Sequence, residues 1–167
     1  MAATAFDAYG MLVALSRGGV RFVVIGGLAG QLHGSPSITT DLDICPASDR
    51  KNLDALAKVL QGLDARMRDL PTEMSFRLDG RALAAGDWFT FDTSLGKLDV
   101  LQRPAGDLGY EGLASTAVTY ELDGLPIVVA SLDDVIRMKE AAGRPKDRVE
   151  LEVLGALRQE RDRRGLD

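Results

Sequence analysis

Asp41 and Asp43 are separated by one apolar residue in the run Thr40-Asp41-Leu42-Asp43-Ile44. On a β-strand, side chains alternate between faces, so both carboxylates leave the chain on one side. Their α-carbons would stand about 7 Å apart, from a rise of about 3.3 Å per residue. Two such acids repel each other unless a cation lies between them. A hard divalent ion, Mg²⁺ or Mn²⁺, takes carboxylate oxygens and keeps open positions for phosphates. Leu42 and Ile44 turn the opposite face toward a core. The competing reading is an exposed strand edge with two solvated acids.

A further acid, Asp99, is set among apolar residues in Gly96-Lys97-Leu98-Asp99-Val100-Leu101. Burying an unpaired carboxylate is costly, so an acid in this setting needs a partner or a metal. If its strand lies beside the one with Asp41 and Asp43, the acids converge. Carboxylates so grouped can hold two metals for an in-line phosphoryl displacement, and Asp99 can also accept a proton from an attacking hydroxyl.

Gly26-Gly27 ends the apolar run Val20 to Ile25 and precedes a short helical stretch, Leu28 to His33. Glycines let a backbone come close to a ligand, and amides at a helix start favour an anion such as a phosphate. A plain strand-to-helix turn would look the same in isolation. Gly27 and Asp41 are fourteen positions apart, enough for one short helix and a return to the same sheet edge.

These residues need a scaffold, and its elements can be read from periodicity and punctuation. Residues 4–17 carry apolar side chains at helical spacing, stopped by Gly18-Gly19. Val20–Ile25 and Ile38–Cys45 read as strands, the second ended by Pro46. Ser48 or Asp49 caps a helix to about Leu60. Strand-like pieces follow at Met74–Leu78, Trp88–Thr93, Lys97–Leu101, Ala117–Leu122 and Ile127–Ala130, with Gly and Asp between them as hairpins require. Ser131 opens a helix broken by Gly143-Arg144-Pro145, and a last helix runs from Lys146 into an Arg-rich tail. The expected class is α/β (α+β): a mixed, largely antiparallel central sheet flanked by helices, in a single domain over 1–167. The core would occupy about 20–130, with C-terminal helices over about 131–164.

The composition fits an ordinary globular chain, with 46% apolar and 27% charged residues. No apolar stretch is long enough for a membrane helix, and the N-terminus lacks the basic flank and apolar core of a secretory signal. The single cysteine, Cys45, cannot make an internal disulfide, which points to a reducing cytoplasm. A net charge of -5 argues against nonspecific coating of nucleic acid. Residues 137–164 nevertheless hold nine Lys/Arg against six Asp/Glu. That surplus is either a solvated helix face or a phosphate-facing surface.

Other residues keep two readings. His33 either lines a base pocket or is a satisfied structural histidine. Thr39 and Thr40 either bond phosphate and orient Asp41 or belong to the turn before the strand. Trp88, Phe89 and Phe91 alternate near Asp99, so one face is core and the other could stack on a base. Cys45 reads as a small buried filler.

Taken together, Gly26-Gly27, Thr40-Asp41-Leu42-Asp43 and Lys97-Leu98-Asp99 resemble the DNA polymerase β-type nucleotidyltransferase superfamily. The resemblance covers about residues 20–101. Residues 130–147, from Ala130-Ser131-Leu132 to Lys146-Asp147, resemble the third motif of the abortive-infection-type nucleotidyltransferases. That group includes bacterial toxins of toxin–antitoxin pairs and small relatives. The resemblance implies Asp41, Asp43 and Asp99 as metal ligands, with Gly26, Gly27, Thr40, Lys139 and Asp147 around the nucleotide. It implies transfer of a nucleoside monophosphate from a nucleoside triphosphate to a hydroxyl, with release of pyrophosphate. The acceptor would be RNA, protein or a small molecule, and a toxin or antitoxin protein is an expected partner. The larger toxins continue into a further helical region that this sequence lacks. That weakens the expectation of toxicity and of tRNA acceptors more than that of the fold, and leaves a toxin–antitoxin role among the expectations.

Two other classes compete. Val23-Val24-Ile25-Gly26-Gly27-Leu28-Ala29-Gly30 imitates a dinucleotide-binding turn, but Ile25 stands where the first fingerprint glycine belongs. A nucleotidyltransferase-like protein could also bind a partner without catalysis.

Overall fold

The computed structural model describes residues 4–71 and 73–166. The first helix, α1 (Ala8–Arg17), is capped by Asp7, whose side chain accepts from the Gly10 amide. The chain then forms β1 (Phe22–Ile25), α2 (Gly26–Leu32), β2 (Asp41–Pro46) and α3 (Arg50–Gly62). Next come β3 (Arg66–Met67), α4 (Gly80–Ala84), β4 (Trp88–Thr93) and β5 (Gly96–Leu101). The chain finishes with α5 (Tyr110–Thr116), β6 (Val118–Leu122), β7 (Leu125–Val129), α6 (Leu132–Ala142) and α7 (Asp147–Arg164).

The strands build one seven-stranded sheet in the order β3-β4-β5-β2-β1-β7-β6. β1–β2, β3–β4, β4–β5 and β6–β7 are antiparallel, whereas β2–β5 and β1–β7 are parallel. The expected mixed, largely antiparallel sheet with flanking helices is present. The fold also removes the dinucleotide-binding rival. That fold surrounds its first strand with parallel neighbours, and here β1 runs antiparallel to β2.

Alternation decides what the central strands do. Leu42 and Ile44 of β2 sit beside Leu98 and Val100 of β5, and all are fully buried. Each such side chain contributes about 1.5–3 kcal/mol by leaving water. Leu12, Leu15, Leu53, Leu56, Leu60 and Leu83, from α1, α3 and α4, join the same core. The acids are therefore forced to the other face. That face is partly covered by α2, α6 and α7, and Leu154 of α7 is fully buried.

Several boundaries differ from the sequence reading. The strand expected at Met74–Leu78 is not formed. β3 already occupies the place beside β4, and Phe76 instead packs against Phe89. The second strand begins at Asp41, not Ile38, which is 90% exposed in the preceding loop. β3, α4 and α5 were not anticipated. Each is too short to show a clear period. No helix among the described residues is long and apolar enough to cross a membrane.

Candidate active site

The pairing of β2 and β5 sets Asp43 directly beside Asp99, with Asp41 beside Lys97. Register partners share a face, so the acids form one cluster. Ligand oxygens of Asp41, Asp43 and Asp99 all lie within 4.8 Å of one another. Asp99 is only 8% exposed, and Asp41 and Asp43 are half-buried.

The proximity is visible in their acidities. Burial, and then the charges of Asp41 and Asp99, push the Asp43 carboxyl up to about 7. Arg144 and Lys139 oppose that rise, which places both cations within electrostatic reach of Asp43. Burial also raises Asp99, against the pull of Arg68. Desolvated, mutually repelling oxygens of this kind suit a hard divalent cation. The described residues thus fit the metal that the sequence resemblance implies.

Gly26 and Gly27 form the first turn of α2 itself, not the approach to it. Gly26 has φ +68°, a conformation costly for other residues, and a side chain there would strike Asp43 Oδ2. A β-carbon on Gly27 would meet Thr39 Oγ1 at 2.9 Å. The α2 backbone is thereby seated against the acids. Thr39 supports them from the other side, its hydroxyl 3.1 Å from Asp41 Oδ1. Thr40 is exposed, so it is Thr39 that orients Asp41.

Lys139 is on α6, with its side chain 13% exposed and Nζ 3.7 Å from Asp147 Oδ1. Arg144 donates from Nε to Asp147 Oδ2 at 2.8 Å and from Nη2 to Oδ1 at 3.3 Å. Burial opposes ionisation of Asp147, but Arg144 and Lys139 outweigh it and hold the carboxyl below the usual range. Asp147 is thus an anchor for two cations that face the acid cluster. Arg144 is a member the sequence reading missed, although it stands in the Gly143-Arg144-Pro145 break already noticed.

Arg68, just past β3, closes the opposite side. Its Nη2 donates to Asp99 Oδ1 at 3.3 Å and to the Phe91 carbonyl at 3.0 Å, and its Nε to Asp92 Oδ1 at 3.3 Å. The alternation Arg66-Met67-Arg68 was the available signal for a strand there.

Glu150 of α7 is buried and accepts hydroxyl hydrogen bonds from Ser35, at 2.8 Å, and Ser37. It thus ties the loop between α2 and β2 to the last helix. Glu150, Leu154 and Leu157 recur at helical spacing, which could have revealed this inner face.

His33 takes the structural one of its readings. It is buried, with Nε2 2.7 Å from the Ala130 carbonyl and Nδ1 3.1 Å from both Tyr120 Oη and Arg161 Nη2. Donation from Nε2 and acceptance at Nδ1 fix the neutral ring, and burial lowers its pKa. Cys45 is a buried filler whose thiol burial pushes up to about 12. Phe89 and Phe91 belong to the core, whereas Trp88 lies on the acid-bearing face and is 64% exposed.

No protein-family model matches the chain, and no curated protein matches its sequence. Solved structures do match its fold. A candidate nucleotidyltransferase from Thermotoga maritima aligns with TM-score 0.55 and 19% identity, over 91% of this chain and 90% of that one. The antibiotic-resistance factor ANT(2'')-Ia aligns in its solution structure with TM-score 0.51 and 16% identity, over 90% and 88%. The chain shares the architecture of these structures.

Proposed function

We propose that the protein is a metal-dependent nucleotidyltransferase that moves a nucleoside monophosphate from a nucleoside triphosphate to a hydroxyl, releasing pyrophosphate. The observation that carries this reading is the convergence of Asp41, Asp43 and Asp99 oxygens within 4.8 Å, on a face where α2 begins with Gly26. The sequence resemblance and the shared fold of the solved structures support it.

Each residue then has a role. Asp41, Asp43 and Asp99 would hold the Mg²⁺ or Mn²⁺, which would supply charge neutralisation for the phosphates and the displaced pyrophosphate. Gly26 and Gly27 would cradle the triphosphate with their backbone amides at the start of α2. Lys139 neutralises it, Asp147 steadies both that lysine and Arg144, and Thr40 adds a hydroxyl at the rim. Asp99 accepts the proton of the attacking hydroxyl. The new bond joins that oxygen to the α-phosphorus as the bond to the β-phosphate oxygen breaks. The acceptor class is RNA, a protein or a small molecule, and a toxin–antitoxin role follows from the resemblance of residues 130–147. A cytoplasmic setting fits the lone buried Cys45.

Titration with Mn²⁺ and each of ATP, CTP, GTP and UTP tests the reading. The expected result is metal-dependent nucleotide binding that Asp41→Ala removes. Incubation with labelled nucleotide and cell extract then identifies the acceptor. Nucleotide binding that needs no metal and survives Asp41→Ala would sink the proposal and leave a non-catalytic partner-binding protein.

A further inference from the structure

Asp41, Asp43 and Asp99 differ in one respect. Among the described residues, Asp99 is the one of the three that forms an ion pair, with Arg68. The guanidinium is no loose surface group, since its side chain is 22% exposed and that of Asp99 12%. The Arg68 amide also donates to the Thr90 carbonyl at 2.8 Å, and Thr90 is the register partner of Asp99. Backbone pairing thus brings Arg68 to Asp99, while Asp92 and the Phe91 carbonyl fix the direction of its fork. Arg68 touches Asp99 at Oδ1, and no hydrogen bond to Oδ2 occurs among the described residues.

We propose that Arg68 is a positioning residue for Asp99: it holds one carboxylate oxygen and aims the other at the reacting hydroxyl. This rests on the transferase reading above. A free carboxylate could rotate and offer both oxygens to one cation, which would leave none for the incoming proton. A guanidinium suits the restraint because its planar fork holds several oxygens at once, whereas an ammonium is a point charge. Because Arg68 is itself a cation, it also competes with a metal for the same acids. Its removal is therefore expected to strengthen metal binding while it weakens transfer. A merely structural role at the sheet edge predicts weakening of both.

The test uses the full chain with Mn²⁺ as probe, read by electron paramagnetic resonance, together with pyrophosphate release from the triphosphate it binds. In Arg68→Met, Mn²⁺ affinity should rise roughly tenfold, from loss of a neighbouring positive charge. The kcat should fall about 10- to 100-fold, as for other groups that orient metal ligands, with KM for the triphosphate within about threefold of wild type. Arg68→Lys should restore part of kcat and the weaker Mn²⁺ binding. Weaker Mn²⁺ binding in Arg68→Met, or unchanged kcat, would overturn the assignment. If wild type transfers and binds Mn²⁺, that result condemns the Arg68 assignment alone. If wild type binds no Mn²⁺ and releases no pyrophosphate, both readings fall together.

Discussion

Gly26 and Asp43 are packed so closely that a single methyl group on the glycine would collide with the carboxylate oxygen Oδ2. The contact joins the turn that would receive phosphate to an acid that would hold metal. It also sits at a left-handed backbone position, φ +68°. Gly26→Ala should therefore cost about 1–3 kcal/mol in strain and also displace Asp43. Urea unfolding should report the loss, and Mn²⁺ binding should weaken in parallel. Full stability with normal metal affinity would show that the turn tolerates a side chain.

Asp99→Asn should abolish transfer and leave nucleotide binding largely intact. An amide keeps the shape but cannot accept the hydroxyl proton. Calorimetry with a non-hydrolysable triphosphate, beside a pyrophosphate-release assay, separates the two effects. Retained transfer would remove Asp99 from its role.

The acidity of Asp43 gives a pH signature. In the folded metal-free protein the carboxyl keeps its proton to about pH 7, against 3.8 as its ordinary value. Between these values the folded state binds more protons than the unfolded one. This group's contribution to stability is therefore full below the lower value and lost as pH rises through the upper one. The thermal midpoint of metal-free wild type should fall relative to Asp43→Asn across that window. Mn²⁺ affinity should rise over the same range, because the cation needs the carboxylate. Parallel stability profiles for the two proteins would contradict this picture.

Lys139→Met should weaken triphosphate binding about tenfold, the range of one lost charge-assisted bond at roughly 1.5 kcal/mol. The thermal midpoint should move little, because Asp147 keeps Arg144 at 2.8 Å. A lysine that merely decorates the surface would leave the binding isotherm unchanged.

Glu150→Ala should release the Ser35 and Ser37 hydroxyls and cost about 1–3 kcal/mol, the penalty for a buried polar group left unpaired. Amide exchange in residues 33–40 should accelerate, and affinity for the triphosphate should drop although Glu150 touches none of the acids. Unchanged exchange in that loop would refute the tether.

The acid cluster was legible in the sequence because strands impose a strict period. Asp41, Leu42, Asp43 and Ile44 can only alternate, and the same holds for Leu98, Asp99 and Val100. Their meeting was not legible from spacing, since it depends on β2 and β5 lying side by side; the resemblance supplied that expectation. Arg68 escaped notice because β3 has two residues, Arg66 and Met67, too few for a pattern to stand out. Glu150 lies in a charge-rich tail that reads as solvated, and its burial and its bonds from Ser35 and Ser37 show otherwise. The segment around Met74 misled for the opposite reason. Its residues suit a strand, but β3 already fills the place beside β4.

Asp43 and Asp99 touch across the sheet but are fifty-six residues apart along the chain. Parallel pairing over such a distance requires closure of a long loop, a slow event compared with forming a helix or hairpin. A chain emerging from the ribosome would thus present its glycine turn, Asp41 and Asp43 well before β5 arrives to complete the set. Until β5 docks, the newborn protein carries two of the three clustered acids without the one that closes the cluster.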